Sequence, residues 1–294
     1  STRKESSAAS DVYKRQSQKK LSKIGIQMTY VTPEPETINK FLEEYTFERI
    51  EEWFNKLITG FKRWTDYTFD ERHKRTESIR ELKFPYEYRE GQKNLCVSVY
   101  RAIEDNTNLY IQAPTGVGKT LSTVFPAVQA LGQQMSDKIF YLTSKTITRT
   151  VAEDTYAILR DNGLHMRTVT LTAKDKICPL DERNCNPVAC PYAKGHFDRI
   201  NDAVYDIITS QMVIGRDNVM EYANRHNVCP FEMSLDVSYW CDGIICDYNY
   251  VFDPDASLKR YFGNGAKGDY VFLVDEAHNL VDLSLIHISE PTRR

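Results

Sequence analysis

The sequence predicts an α/β fold: a parallel sheet with helices on both faces, interrupted by a mostly helical insertion that carries four cysteines. Three observations predict it. Strand-length apolar runs alternate with helical periodicity from Phe84 to about Thr172 and return between Gly243 and Val274, the rhythm of parallel strands joined by covering helices. A glycine-rich turn, APTGVGKT at Ala113–Thr120, and an acidic turn, DEAH at Asp275–His278, each follow such a run. Between Lys119 and Asp275 lie 155 residues, and within them the rhythm breaks over 173–241 into cysteines, prolines and mixed helices.

In chain order, residues 1–16 and 283–294 are set aside. SSAASDVYKRQ at Ser6–Gln16 and LSLIHISEPTR at Leu283–Arg293 read as translations of the two strands of a transposase adapter used in sequencing libraries, the alternative being two ordinary polar tails, and such scars are excluded from fold reasoning. Residues 17–82 hold a strand candidate, Ile24–Val31, and then Phe47, Ile50, Trp53, Phe54, Leu57, Ile58 and Phe61 at helical spacing. They read as a helical linker or the tail of a preceding domain. Residues 83–172 give a helix near Gly91–Ile103, a strand Leu109–Gln112, the glycine-rich turn, a helix Lys119–Leu131, a strand Lys138–Thr143, a helix Thr148–Leu159 and a strand Met166–Leu171. The insertion spans 173–241. Residues 242–282 return to the sheet with the strands Gly243–Cys246 and Tyr270–Val274.

Composition narrows the function class. The chain has 38 Lys+Arg against 41 Asp+Glu; without the adapter segments the balance is 32 against 38, a net charge of −6. This is no basic footprint, so any nucleic-acid contact must come from local patches. No apolar run approaches the roughly 18 residues of a membrane span. Seven cysteines, odd in number and mostly in one region, suit metal ligation in a reducing bacterial cytoplasm better than a disulfide framework.

The turn APTGVGKT is a phosphate cradle. Gly116 and Gly118 let successive N–H groups point into one concavity, with Thr115 and Val117 supplying the backbone between and beside them. The helix starting at Lys119 adds its positive end, about half a unit charge. Lys119 can reach the β- and γ-phosphates and the Thr120 hydroxyl can ligate magnesium. DEAH supplies the acidic partner, because a buried strand ending in two carboxylates delivers them to the edge where phosphates lie. Asp275 is expected in the magnesium shell, and Glu276 beside the attacking water. His278 reads equally as a coupling residue or a surface histidine.

Cys178, Cys185, Cys190 and Cys229 are separated by six, four and thirty-eight residues, and three of them precede proline. Closely spaced Cys-x-x-Cys pairs, usual for zinc, are absent here. Four thiolates from unequal spacings suit an iron–sulfur cluster; structural zinc and buried core cysteines stay open on spacing alone.

FPYEYREGQ (Phe84–Gln92), QAPTGVGKT (Gln112–Thr120), the cysteine insertion, CPFEMSLDVSYWCDGIICDYNYVFDP (Cys229–Pro254) and VDEAHNL (Val274–Leu280) together resemble the first motor domain of DinG/XPD-type (superfamily 2) iron–sulfur DNA helicases. The resemblance covers about Phe84–Asp282 and implies a RecA-like P-loop sheet, ATP and Mg2+, and a 4Fe–4S cluster on Cys178, Cys185, Cys190 and Cys229. It implies that Cys96, Cys241 and Cys246 are core residues. It places Gln92 against the adenine and Thr143, Ser144 and Lys145 on the DNA backbone. Tyr192, Lys194, His196 and Arg199 read as a patch where duplex splits, or as a solvated helix face. The implied activity is ATP-driven unwinding, 5′ to 3′, of forked DNA by way of a single strand, with a second RecA-like domain following in the same parent chain. That domain's absence makes this chain alone inactive by expectation.

IGIQMTYVTPEPETINKFLEEYTFERIEEWF, upstream, resembles the end of a RecB-like PD-(D/E)xK nuclease domain, although a plain helical linker fits it too. Two other classes compete with the helicase: a P-loop ATPase with structural zinc, and a non-unwinding DNA-binding accessory protein of the CRISPR-associated kind.

Overall fold

The computed structural model describes residues 11, 13–15, 17–19, 21–32, 37–114, 117–144, 146–263, 265–266 and 268–281. The segment 283–294, most of 1–16, and the site residues Thr115, Gly116 and Lys145 lie outside these. The chain divides into two compact units, 1–73 and 74–294.

In the first unit, β1 (Lys23–Thr32) pairs antiparallel with β2 (Thr37–Thr46) in a register running from Lys23↔Thr46 to Thr32↔Thr37. The strand expected at Ile24–Val31 is therefore present, and β2 is an addition. A helix of 35 residues, Phe47–Glu81, follows and carries the boundary between the units. Of its periodic apolar residues Ile50 is buried, whereas Trp53, Ile58 and Phe61 are exposed.

The second unit is built on a parallel sheet in the order β5-β4-β6-β3-β7, formed by β3 (Lys138–Leu142), β4 (Thr168–Thr170), β5 (Val213–Ile214), β6 (Gly243–Cys246) and β7 (Tyr270–Val274). β3 lies between β6 and β7, in register Ile139↔Gly243 and Ile139↔Val271. Its sequence KIFYL is apolar on both faces, as a doubly covered strand requires. Ile139 and Tyr141 face the helices Lys119–Gly132 and Thr146–Asp161, where Val124, Val128, Leu131, Ala152 and Tyr156 are fully buried. Phe140 points the other way, into Tyr261 and Phe262 of the short helix Lys259–Phe262 and into Phe272. Helices thus cover both faces, as expected. Gly243 opens β6 where the chains crowd: a Cβ there would meet Thr168 Cγ2 at 3.0 Å and Met166 Cε at 3.2 Å.

One expected strand is not found. Leu109–Gln112 is irregular and lies outside the sheet, with Tyr110 90% exposed. Apolar β-branched sequence favours an extended backbone, but a ladder needs a neighbouring edge; among the described residues none is paired to it. Among the described residues β7 is itself an edge strand, hydrogen-bonded to β3 alone, and its Phe272 is 41% exposed. β5, within 173–241, was not foreseen in a stretch that read as mixed helices.

The insertion contains the helices His196–Ser210, Arg216–His226 and Pro230–Ser238. Among the described residues no helix is long and apolar enough to cross a membrane.

Candidate nucleotide site

The helix Lys119–Gly132 starts directly from the glycine-rich turn. Gly118, its N-cap, sits at φ 76°, ψ 38°, a left-handed conformation that glycine adopts without the penalty a Cβ would bring. A Cβ there would also come within 2.8 Å of Gln92 Nε2. The Lys119 ammonium donates to the Ala113 carbonyl at 3.3 Å, folding back over the turn as a phosphate-binding lysine must.

β7 brings the acidic turn to the same end of the sheet. The Asp275 amide continues the ladder by donating to Leu142 O at 3.0 Å. Glu276 then breaks it at φ 51°, ψ 47°. For a residue with a Cβ this left-handed conformation costs about 1–2 kcal/mol, and it turns the carboxylate towards the phosphate cradle. Glu276 Oε1 lies 3.9 Å from Lys119 Nζ, and its other oxygen 3.4 Å from His278 Nδ1.

Tyr141 joins the two sequence-predicted magnesium ligands. Tyr141, 2% exposed near the end of β3, has its hydroxyl within hydrogen-bonding reach of the Asp275 carboxylate and the Thr120 hydroxyl. Burial, and the Asp275 charge after it, push the phenol well above its usual range. Thr120 and Asp275 are therefore one hydroxyl apart, and this donor set fits a hard, oxygen-ligated cation.

The remaining assignments are dispersed. Gln92 is 6% exposed and spans the cradle: its Oε1 accepts from Arg89 N at 3.0 Å and its Nε2 donates to Val117 O at 3.2 Å. One N–H and one lone pair remain for a base edge. Thr143 is buried, with its hydroxyl on Thr148 Oγ1, and so faces inward, not towards a phosphate backbone. Ser144 is exposed. In the patch beside the third cysteine, His196 is buried and accepts the Cys229 N–H at Nδ1, 3.2 Å away; burial lowers its pKa. Arg199 donates to Lys194 O and Asn227 O, both at 2.7 Å, and to His226 O at 3.1 Å. Lys194 is exposed and Tyr192 half-buried.

Cys190 is buried, Cys178 and Cys229 are half-buried and Cys185 is exposed. Among the described residues no group of three or more His, Cys, Asp or Glu is arranged to hold a metal ion. The four cysteines as placed do not fit a cluster. Lys174 is hydrogen-bonded to Cys185, with Cys229 nearby. Cys96, Cys241 and Cys246 are buried, as core residues would be.

Two residues of this site escaped the sequence reading, Tyr141 and Tyr248. Tyr248, in the turn after β6, donates its hydroxyl to Asp275 O. The only sequence signal for either is a tyrosine at the end of an otherwise apolar strand or in the turn that follows one, where a polar tip must find a partner.

Comparison with known proteins gives two family models in overlapping register: residues 90–184 match the DEAD/DEAH box helicase family and residues 147–290 match DEAD_2. The second match runs into the segment read from sequence as an adapter. The chain is 22% identical over 255 residues to a regulator of telomere elongation helicase 1 homolog of Anopheles gambiae, covering 68% of this chain and 25% of that protein. It is 27% identical over 204 residues to a probable ATP-dependent helicase of Methanocaldococcus jannaschii, covering 67% and 29%. A solved XPD helicase structure aligns with a TM-score of 0.49 at 20% identity, over 68% of this chain and 34% of that one. The chain spans between a quarter and a third of the length of these curated relatives.

Proposed function

From the match of residues 90–184 to the DEAD/DEAH box helicase family and of residues 147–290 to DEAD_2, we propose that the full protein is an ATP-dependent DNA helicase coupling ATP hydrolysis to duplex unwinding. The observation that carries this reading is the 3.9 Å approach of Lys119 on the glycine-rich turn to Glu276 of the acidic turn, with Thr120, Tyr141 and Asp275 clustered beside it. A lysine on a phosphate-binding turn, a hydroxyl–carboxylate pair and a second carboxylate are the groups that phosphoryl transfer to water needs.

In this reading the turn amides and the helix N-terminus at Gly118–Lys119 hold the phosphates. Lys119 exchanges Ala113 O and Glu276 for the β- and γ-oxygens. Thr120 and Asp275 hold Mg2+, which when bound neutralises charge developing on those oxygens. Glu276, released from Lys119, orients the attacking water and accepts its proton. Gln92 keeps its amide against the turn and offers its remaining valences to the adenine.

Ser144 and Lys145 are proposed to hold single-stranded DNA, with movement 5′ to 3′ on forked substrates and a second RecA-like domain of the parent chain closing over the nucleotide. The bacterial cytoplasm is proposed as the compartment; the support is an odd number of cysteines gathered mostly in one region, a pattern suited to ligation in a reducing compartment and not to a disulfide framework. Cys178, Cys185, Cys190 and Cys229 are proposed as ligands of a 4Fe–4S cluster. The support is their donor chemistry, and they would have to draw together to bind it; no step above runs through it. Iron and sulfide analysis after anaerobic purification tests this, and one zinc per chain in place of iron overturns it.

The helicase reading is tested by strand displacement on a forked duplex with the full-length protein. Displacement should require ATP and Mg2+, and Lys119→Ala should lower it by at least about 100-fold, the scale of removing one preorganised cation from a transition state. ATP-independent displacement, or equal rates in Lys119→Ala, would overturn it.

A further inference from the structure

Resting on the helicase reading, a further role falls to Tyr248, which none of the steps above uses. Its ring is 3% exposed. Its hydroxyl donates to Asp275 O and lies 3.3 Å from Glu276 O, so it grips the two peptide groups that flank the Glu276 α-carbon. That α-carbon is the one held at positive φ. Asn279 reinforces the hold through its side-chain N–H to Glu276 O at 3.0 Å. The left-handed turn that aims the catalytic carboxylate is thus fixed from outside by a tyrosine on the neighbouring β6 turn.

The Ser144 and Asn279 side chains lie beside the same hydroxyl as its hydrogen-bonding neighbours. Ser144 is exposed, on the loop after β3. A serine hydroxyl has one proton to donate. It can go to Tyr248 or to a phosphate oxygen of a bound strand, but not to both. Taking it from Tyr248 depolarises the tyrosine O–H and weakens its bond to Asp275 O, since linked hydrogen bonds strengthen one another.

We propose that Tyr248 is the positioning residue through which occupancy of the Ser144 loop by a nucleic-acid phosphate is passed to Glu276. With the loop empty, Ser144 polarises Tyr248, the peptides on either side of Glu276 are held, and its carboxylate rests against Lys119 and His278. With the loop occupied, the hold loosens and Glu276 can swing to the attacking water. The coupling is local, running through one hydroxyl from the DNA loop to the acidic turn.

The test is ATP turnover by the full-length protein with and without single-stranded DNA. Tyr248→Phe keeps the ring and removes only the hydroxyl. The ratio of DNA-stimulated to unstimulated kcat should fall at least about fivefold, the lower end of ordinary site-to-site coupling, while KM for ATP and Kd for the strand stay within about twofold. Ser144→Ala should lower the ratio in the same sense, and the double variant should lower it no further than the stronger single one, as for two members of one chain. A role in packing alone would lower Tm and leave the ratio where it was. A stimulated wild type with an unchanged ratio in Tyr248→Phe, or additive effects with Ser144→Ala, overturns this inference and leaves the helicase reading standing. A wild type that single-stranded DNA does not stimulate at all overturns the helicase reading itself. Should Tyr248→Phe fail to fold, Ser144→Ala decides, by whether the ratio measured at saturating single-stranded DNA falls.

Discussion

Removing the Tyr141 hydroxyl isolates the link between Thr120 and Asp275, the two proposed magnesium ligands. Tyr141→Phe leaves the ring in the contact between β3 and the helix Lys119–Gly132, where the residue is 2% exposed. It deletes one bond to the Asp275 carboxylate and one to Thr120. A hydrogen bond to a charged group contributes about 1.5–3 kcal/mol net, and the neutral one to Thr120 adds less. For a domain of this size that is a Tm lower by about 3–12 °C. The same loss leaves Thr120 and Asp275 to choose rotamers independently, so the Mg2+ concentration for half-maximal ATP turnover should rise about tenfold, with KM for ATP at saturating Mg2+ little changed. Differential scanning fluorimetry and a Mg2+ titration of the ATPase measure the two. A lower Tm with an unmoved Mg2+ midpoint would refute the reasoning, because Tyr141 would then be a packing residue that happens to touch both ligands.

Two further outcomes follow from groups away from the nucleotide. Arg199→Ala removes a guanidinium that satisfies the carbonyls of Lys194, His226 and Asn227; hydrogen exchange should rise across 216–229, with about 2–3 kcal/mol of local stability lost, whereas a loss of DNA affinity without faster exchange would return Arg199 to the DNA patch. Cys241 is fully buried, and burial pushes its thiol up to about 12. A folded pKa raised above the unfolded one gives stability that is complete below pH about 9 and lost as pH rises towards 12, at up to about 1.4 kcal/mol per pH unit. Cys241→Ala should therefore flatten alkaline unfolding over that window in a pH series of urea melts, and an unchanged slope would exclude the thiol as the titrating group.

What the sequence made legible divides along a physical line. Gly243–Cys246 and Tyr270–Val274 were read to the residue, because each is a short, largely apolar run with turn residues at its ends. The cradle and the acidic turn were legible because their chemistry fixes residue types at fixed local spacing. β2 escaped because TINKFLEEYT has no clean alternation; its ten-residue register with β1, a non-local fact, makes it a strand. Leu109–Gln112 failed in the opposite sense, extended by local preference but lacking a partner among the described residues. Tyr141 and Tyr248 act through hydroxyls that meet Asp275 from 134 and 27 residues away, and no period or motif encodes such a meeting. Thr143 shows the limit of position matching: it stands at the DNA-loop position, yet its hydroxyl is turned inward to Thr148.

The insertion explains why counting basic residues misjudges its role. Its helices end on cations supplied from elsewhere in the fold. Arg216 Nε donates to Lys176 O at 3.1 Å, below the short helix Lys174–Ile177. Arg167 donates to Gln211 O at 2.9 Å, past the end of His196–Ser210. Arg199 takes His226 O and Asn227 O at the end of Arg216–His226. Lys138, the first residue of β3, takes Ser238 O, Tyr239 O and Cys241 O at the end of Pro230–Ser238, at 3.2, 2.8 and 2.5 Å, and burial lowers its pKa despite nearby Asp242. A helix C-terminus leaves carbonyls unsatisfied and carries partial negative charge, so a cation there both satisfies hydrogen bonds and opposes the dipole. Four basic residues that look available for phosphate in the sequence are thereby committed to backbone. Those four are withdrawn from any phosphate contact, and under the helicase reading strand contact would fall to exposed positions such as Lys194 and to hydroxyls such as Ser144.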